Sequence, residues 1–393
     1  MPPGSLCTLK IWIMKKQFVS LVFSALILTT LLVLGSIFQG MCWKSEITPN
    51  SGESAEEAGS RLGVRTDIVF ILGEDELEGN PYYEQATNYF RFRENIRLEN
   101  LVVHCRSLSE VREYLVWNKA DSSLAWGKVH LVVHGNQWNG LSLPVVPGGP
   151  RTSATSIPAA KRQGYFEPLS ETVLDEKSEL IFHACGTGHD LALMEQISAA
   201  FGGRATVRSA RFFVSYESVS GVPQSTRQYM SDYWFTTYPT GHRPIDAILA
   251  NQLEEENPTA GIEWMGALSR THPRWMGDVY HYRFSVPVHW TVTFSAASDM
   301  SQLETKVQQN AWLATQTDLL DKLAEIGIPA SRFSWKFEKT TYTFPDGQVE
   351  PAIQIEGKSS ILCVLKAITD GDQQLPLAID LEDERYYAAV QPR

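Results

Sequence analysis

Apolar residues in this chain form short β-branched runs separated by stretches of mixed, helical spacing. The longest run comes first. Phe18 to Phe38 carries no charge, follows Lys15 and Lys16, and is about long enough to span a bilayer. Residues 1–42 therefore read as a signal or membrane anchor, and Met14 opens the pattern so well that it is a candidate true start. Gly35-Ser36 is a weak cleavage site, and the residues before Cys42 make a poor lipid-attachment motif, so an uncleaved anchor with its lysines inside is favoured. Residues 43–66, rich in Ser, Glu, Gly and Ala, read as a flexible tether.

Beyond the tether the pattern alternates between strand and helix. Strands are predicted at Asp67–Gly73, Leu101–Cys105, Lys128–His134, Glu179–Cys185 and Arg211–Glu217. Helices are predicted near Tyr82–Phe92, from Ser107 onward, at Asp190–Phe201, Ser225–Thr236 and Pro244–Glu255. Strands alternating with helices imply a mostly parallel sheet covered on both faces, a three-layer α/β/α domain spanning residues 67–256. Past a Pro/Gly/Trp-containing segment, Asn257 to Trp275, the pattern changes. Tyr282–Phe294 alternates like a strand, Met300–Ile326 is helical, and Phe333–Phe344 and Gln348–Ile368 read as a hairpin, so residues 276–393 are expected to form a smaller α+β domain.

Composition narrows the function classes. The net charge is -11, and neither a basic run nor a glycine-spaced aromatic motif offers a nucleic-acid surface. The five cysteines, at 7, 42, 105, 185 and 363, form no CxxC pair, and no cofactor motif is read. The simplest bridge in an oxidising compartment is Cys105 to Cys363, although spacing alone does not establish it.

Candidate chemistry gathers where strands of a parallel sheet end. His134 closes the run LVVH and Cys185 the run LIFHAC, and each is followed by a glycine that lets a substrate backbone approach. Cys185 is the candidate nucleophile and His134 the acid/base, with the amides of Gly135 and Cys185 as oxyanion donors. Glu217 reads first as an exposed strand-end carboxylate and is also the best acidic candidate for a specificity pocket, where it would favour a basic residue before the scissile bond. Arg211, Phe212 and Phe213 read as strand start and packing, His104-Cys105 as sheet packing, Asp246 and Glu254 to Glu256 as solvated helix ends, and His272 as part of a packed loop or interface.

His134-Gly135 after one apolar strand and Ala184-Cys185 after the next resemble the caspase-like clan of cysteine peptidases. Ser225, Thr226, Met230 and Trp234, followed by Gly241 and Ile245-Asp246-Ala247-Ile248, resemble the CHAT branch of that clan, and the resemblance spans Asp67 to Gln252. It implies a caspase-like fold and peptide-bond hydrolysis by a His134/Cys185 dyad acting on a protein or peptide. His183 departs from the Gln, Glu or Ser usual two residues before the cysteine. The insert Gly140 to Ser178 is expected to be a substrate loop or processing site, with Arg151, Lys161 and Arg162 as cleavable positions.

Two competing readings stand beside this one. His183, Cys185 and His189 lie close in sequence and His134 could join them as a fourth zinc ligand, though the spacing is irregular for a structural site. A caspase-like domain without activity would bind a peptide or protein partner in the same cleft. The expected location is the membrane through the N-terminal helix, or export to a periplasm or cell surface.

Overall fold

The computed structural model describes residues 65–392 apart from 76–80, 119–123, 274–277, 296, 298–299, 301–302, 345, 370–376 and 378. The expected N-terminal anchor and nearly all of the expected tether lie outside the described residues. Among those described, no helix is long and apolar enough to cross a membrane.

The first half of the chain contains β1 (Ile68–Ile71), α1 (Tyr82–Phe92), β2 (Leu101–Val102), α2 (Leu108–Trp117), β3 (Lys128–Val132) and the short strands β4 (Gly135–Asn136), β5 (Gly140–Pro144) and β6 (Arg151–Thr152). Next come α3 (Ser156–Arg162), β7 (Glu179–His183), α4 (Leu191–Ala200), β8 (Thr206–Ala210), β9 (Phe213–Ser218) and β10 (Thr226–Pro239). The remainder comprises α5 (Asp246–Glu256), α6 (Trp264–Leu268), β11 (Tyr280–Thr293), α7 (Lys306–Leu313), α8 (Thr317–Ile326), β12 (Ser334–Thr343), β13 (Val349–Ala367) and β14 (Tyr387–Val390).

The protein is a mixed α/β structure. Its first sheet has the order β14-β8-β7-β3-β1-β2; all neighbours are parallel except β14, which runs antiparallel to β8. Alternating side chains sort between its faces as a strand requires. Phe70, Leu131 and Phe182 pack with Leu108, Val111 and Leu115 of α2, Ile157 of α3 and Ile197 of α4. Val69, Ile71, Val132 and Ile181 face the other way, against Tyr82, Tyr83 and Phe90 of α1 and Val214, Tyr216 and Met230 of β9 and β10. Each fully buried Leu, Ile or Phe contributes about 1.5–3 kcal/mol. At the start of α2, Ser107 accepts the Glu110 amide at 3.3 Å, the cap read from the sequence.

The second sheet corrects several expectations. Of residues 225–236, read as a helix, 226–236 belong to the 14-residue strand β10, held by β9 on one side and β13 on the other. The run Arg211–Glu217 supplies β9 of this second sheet, whereas the fifth parallel strand is β8. The second face of the first sheet is therefore covered by α1 together with β9 and β10 rather than by a helical layer.

The C-terminal third does not close on itself. β13 pairs with β10 as well as with β11 and β12, and β14 joins the first sheet, so residues 64–393 form one compact unit and both sheets cross the division expected near 257–275. The predicted helix over 300–326 is two helices, α7 and α8. The insert 140–178 is largely structural: β5 and α3 bury Leu141, Leu143 and Ile157 in the first core. Cys105 and Cys363 are free, buried thiols in different cores rather than a bridge. His104 is exposed beside Tyr114, and His272 is exposed.

Candidate functional site

β3 and β7 pair in register through Val132 and His183, and there the strands part. The Val133 amide still reaches the His183 carbonyl, at 3.4 Å. His134 and Cys185 lie just past this fork and line one cleft of about 520 Å³. Their shared cleft follows from the parallel sheet, which brings the carboxyl ends of adjacent strands together. Gly73, Asp75, Tyr82, Tyr83, Arg151, Val214, Ser215 and Tyr282 also line it.

His134 is half-buried between two tyrosines of α1. The Tyr82 ring stacks on the imidazole at 4.5 Å and 27°, and Tyr83 meets it edge-on at 4.9 Å while its hydroxyl accepts the His134 amide at 3.2 Å. Burial pushes the imidazole below its ordinary pKa of 6.5, partly opposed by Asp75. Asp75 has no contact of its own with the ring among the described hydrogen bonds; its two oxygens accept the Tyr83 and Glu84 amides, both at 2.9 Å, and so cap α1 from a distance.

Cys185 is 9% exposed. Its thiol donates to the Val214 carbonyl at 3.7 Å, and burial pushes its pKa up to about 11. Gly186 follows with φ +65°, a conformation glycine tolerates, and its amide donates to Phe212 at 3.0 Å, so the cysteine turn is fastened to the start of β9. Among the described residues no hydrogen bond joins Cys185 to His134. The resting pair is thus a neutral thiol and a neutral imidazole rather than a thiolate-imidazolium pair.

Gly135 lines the same cleft. The Ser142 amide donates to the His134 carbonyl at 2.6 Å, which makes Gly135 and Leu141 a non-hydrogen-bonded pair and turns the Gly135 amide away from β5. A side chain here would meet Thr187 Cγ2 at 2.9 Å.

The charges of the cleft differ from the sequence reading. Glu217 accepts the Tyr229 hydroxyl at 2.9 Å and is not among the lining residues. Glu74 is paired with Arg106 at 2.5 Å, and Asp75 is occupied by the α1 amides. Arg151 donates to the carbonyls of Asn139 and Gly140, at 2.9 and 3.2 Å, and among the described residues no carboxylate pairs with it. Arg151 was read from sequence as a cleavage position; here it brings positive charge to the cleft.

Behind the cleft, two further histidines are committed elsewhere. His183 Nε2 lies 3.0 Å from His130 Nδ1, and His183 Nδ1 lies 3.1 Å from the Tyr387 hydroxyl, which accepts from Gln228 at 3.1 Å. Each of these contacts carries one proton, and the ring tautomers decide which partner donates it. Burial holds both rings neutral, lowering His130 to about 3 and His183 well below its ordinary value. His183 is therefore turned away from the zinc grouping considered from sequence, and His189 packs against Tyr233. Among the described residues no three His, Cys, Asp or Glu side chains are arranged around a metal position.

Sequence reasoning missed Tyr82, Tyr83, Val214 and the buried relay. Only the adjacent tyrosines in an aromatic-rich helix carried a signal. Comparison of the chain with protein-family models, with curated proteins and with solved structures gave no match.

Proposed function

We propose that the cleft is a caspase-like cysteine peptidase site with Cys185 as nucleophile and His134 as general base and acid. The observation that carries this reading is the placement of both side chains in one cleft, just past the point where their adjacent strands separate. In the proposed reaction the neutral His134 takes the Cys185 proton as the sulfur attacks the peptide carbonyl carbon. The oxyanion is stabilised by the Gly135 and Cys185 amides. The imidazolium then protonates the leaving amine, a thioester remains on Cys185, and water activated by His134 releases the acid. The substrate is a protein or peptide in extended form, and the N-terminal apolar run would tether the domain to a membrane or direct its export.

A base-assisted mechanism is the form the electrostatics favour, since burial disfavours both charged partners. The binding-only reading draws on one observation, the Cys185 thiol donating to Val214 instead of to His134. Hydrolysis of a capped peptide pool separates the two. The peptidase reading requires that Cys185→Ala and His134→Ala each abolish cleavage while peptide binding persists; cleavage surviving either change would sink it.

A further inference from the structure

We infer that Tyr82 is a positioning residue that sets the separation of His134 from Cys185, an assignment that rests on the reading of the cleft as a Cys/His peptidase site. The fork between β3 and β7 centres on one carbonyl, that of His183. The Val133 amide approaches it at 3.4 Å, beyond the usual range for such a bond, and the Tyr82 hydroxyl donates to it at 2.9 Å. Val133 immediately precedes His134, and His183 stands two residues before Cys185. The shorter bond at the point of separation thus comes from α1 and not from the neighbouring strand.

The ring of this same tyrosine lies on the His134 imidazole at 4.5 Å. One side chain therefore holds the base by its face and the cysteine-bearing strand by its hydroxyl. Tyr82 is 6% exposed, and Asp75 pins the first turn of α1 through the next two amides. Further along the helix, Phe90 packs against His130 and His183 at 5.1 and 5.3 Å, so α1 cannot slide along the sheet without repacking these rings.

Two substitutions separate the functions of ring and hydroxyl. Tyr82→Phe keeps the stack and removes the bond to His183; Tyr82→Leu removes both. In the full chain, His134 ring titration is followed by NMR and cleavage of the capped peptide pool by kinetics. For Tyr82→Phe the expected result is an unmoved His134 titration, with kcat lower on the order of tenfold and KM little changed. For Tyr82→Leu the His134 pKa rises towards 6.5, and the acid limb of kcat/KM moves up with it.

A wild-type kcat in Tyr82→Phe overturns the inference, and this variant decides alone if Tyr82→Leu fails to fold. An unmoved His134 titration in folded Tyr82→Leu overturns the part played by the ring. Failure of the peptidase reading is seen separately, as cleavage that persists in Cys185→Ala or His134→Ala.

Discussion

The buried histidine pair makes stability depend on pH in a direction that desolvation dictates. A proton added to His130 places a charge in a site only 7% exposed, and the Lys128 charge opposes it further. Its folded pKa, about 3, lies below the ordinary 6.5, so the unfolded chain binds the proton first as pH falls. Stability from this group is complete above pH 6.5 and is lost progressively down to about pH 3. At about pH 5 the loss from His130 alone is roughly 2 kcal/mol, from about 1.4 kcal/mol per unit over the interval below 6.5. His183 acts in the same direction.

Urea denaturation followed by tryptophan fluorescence at about pH 7 and pH 5 measures this loss, with His130→Gln as the comparison. The variant is expected to be less stable at both pH values, but its difference between them should shrink by roughly 2 kcal/mol. An unchanged difference would refute the assignment of acid sensitivity to His130.

Other consequences follow from the cleft. Alkylation of Cys185 by iodoacetamide should be slow at neutral pH and rise steeply only as the thiol approaches its pKa of about 11; a fast reaction at neutral pH would contradict the buried thiol. The acid limb of kcat/KM is expected below 6.5, because the proposed base, His134, has a lowered pKa, and a limb above that value would exclude it. Arg151→Gln should weaken binding of peptides bearing a carboxylate more than that of their amide counterparts, measured by calorimetry; equal losses would show that Arg151 only braces the Asn139 and Gly140 turn. Gly186→Ala places a side chain at φ +65° and should cost about 1–2 kcal/mol in thermal denaturation, while a neutral effect would mean that the turn relaxes.

Much of the first sheet was legible because its signal is local. Runs such as DIVFILG and KVHLVVH are long, apolar and β-branched, and the helices α1, α2, α4 and α5 carry caps or 3.6-residue spacing. The strand-end positions of His134 and Cys185 followed from the same runs. β10 was misread because Thr226, Met230 and Trp234 recur every four residues, a helical spacing, whereas pairing on both edges by β9 and β13 makes it a strand. β8, with the sequence TVRSA, is a strand through its neighbours β7 and β14 rather than through apolarity. The Tyr82 bridge and the His130-His183-Tyr387 relay join residues far apart in the chain, and no periodicity encodes such meetings. The position of Glu217 turned on which sheet owns β9, which also lies beyond local pattern.

β14 has a consequence for synthesis on the ribosome. Tyr387 supplies the hydroxyl that completes the hydrogen bonding of His183, yet it is translated long after β7 and β8 have emerged. Until then β8 has a bare edge and His183 lacks its hydroxyl partner, so the nascent first sheet is an incomplete template open to mispairing. Final closure must wait for contacts of high sequence separation, which favours slow folding and attendance by chaperones. It also means that a fragment cut at the apparent linker near 257–275 lacks a strand of each sheet, and neither half is a self-sufficient folding unit.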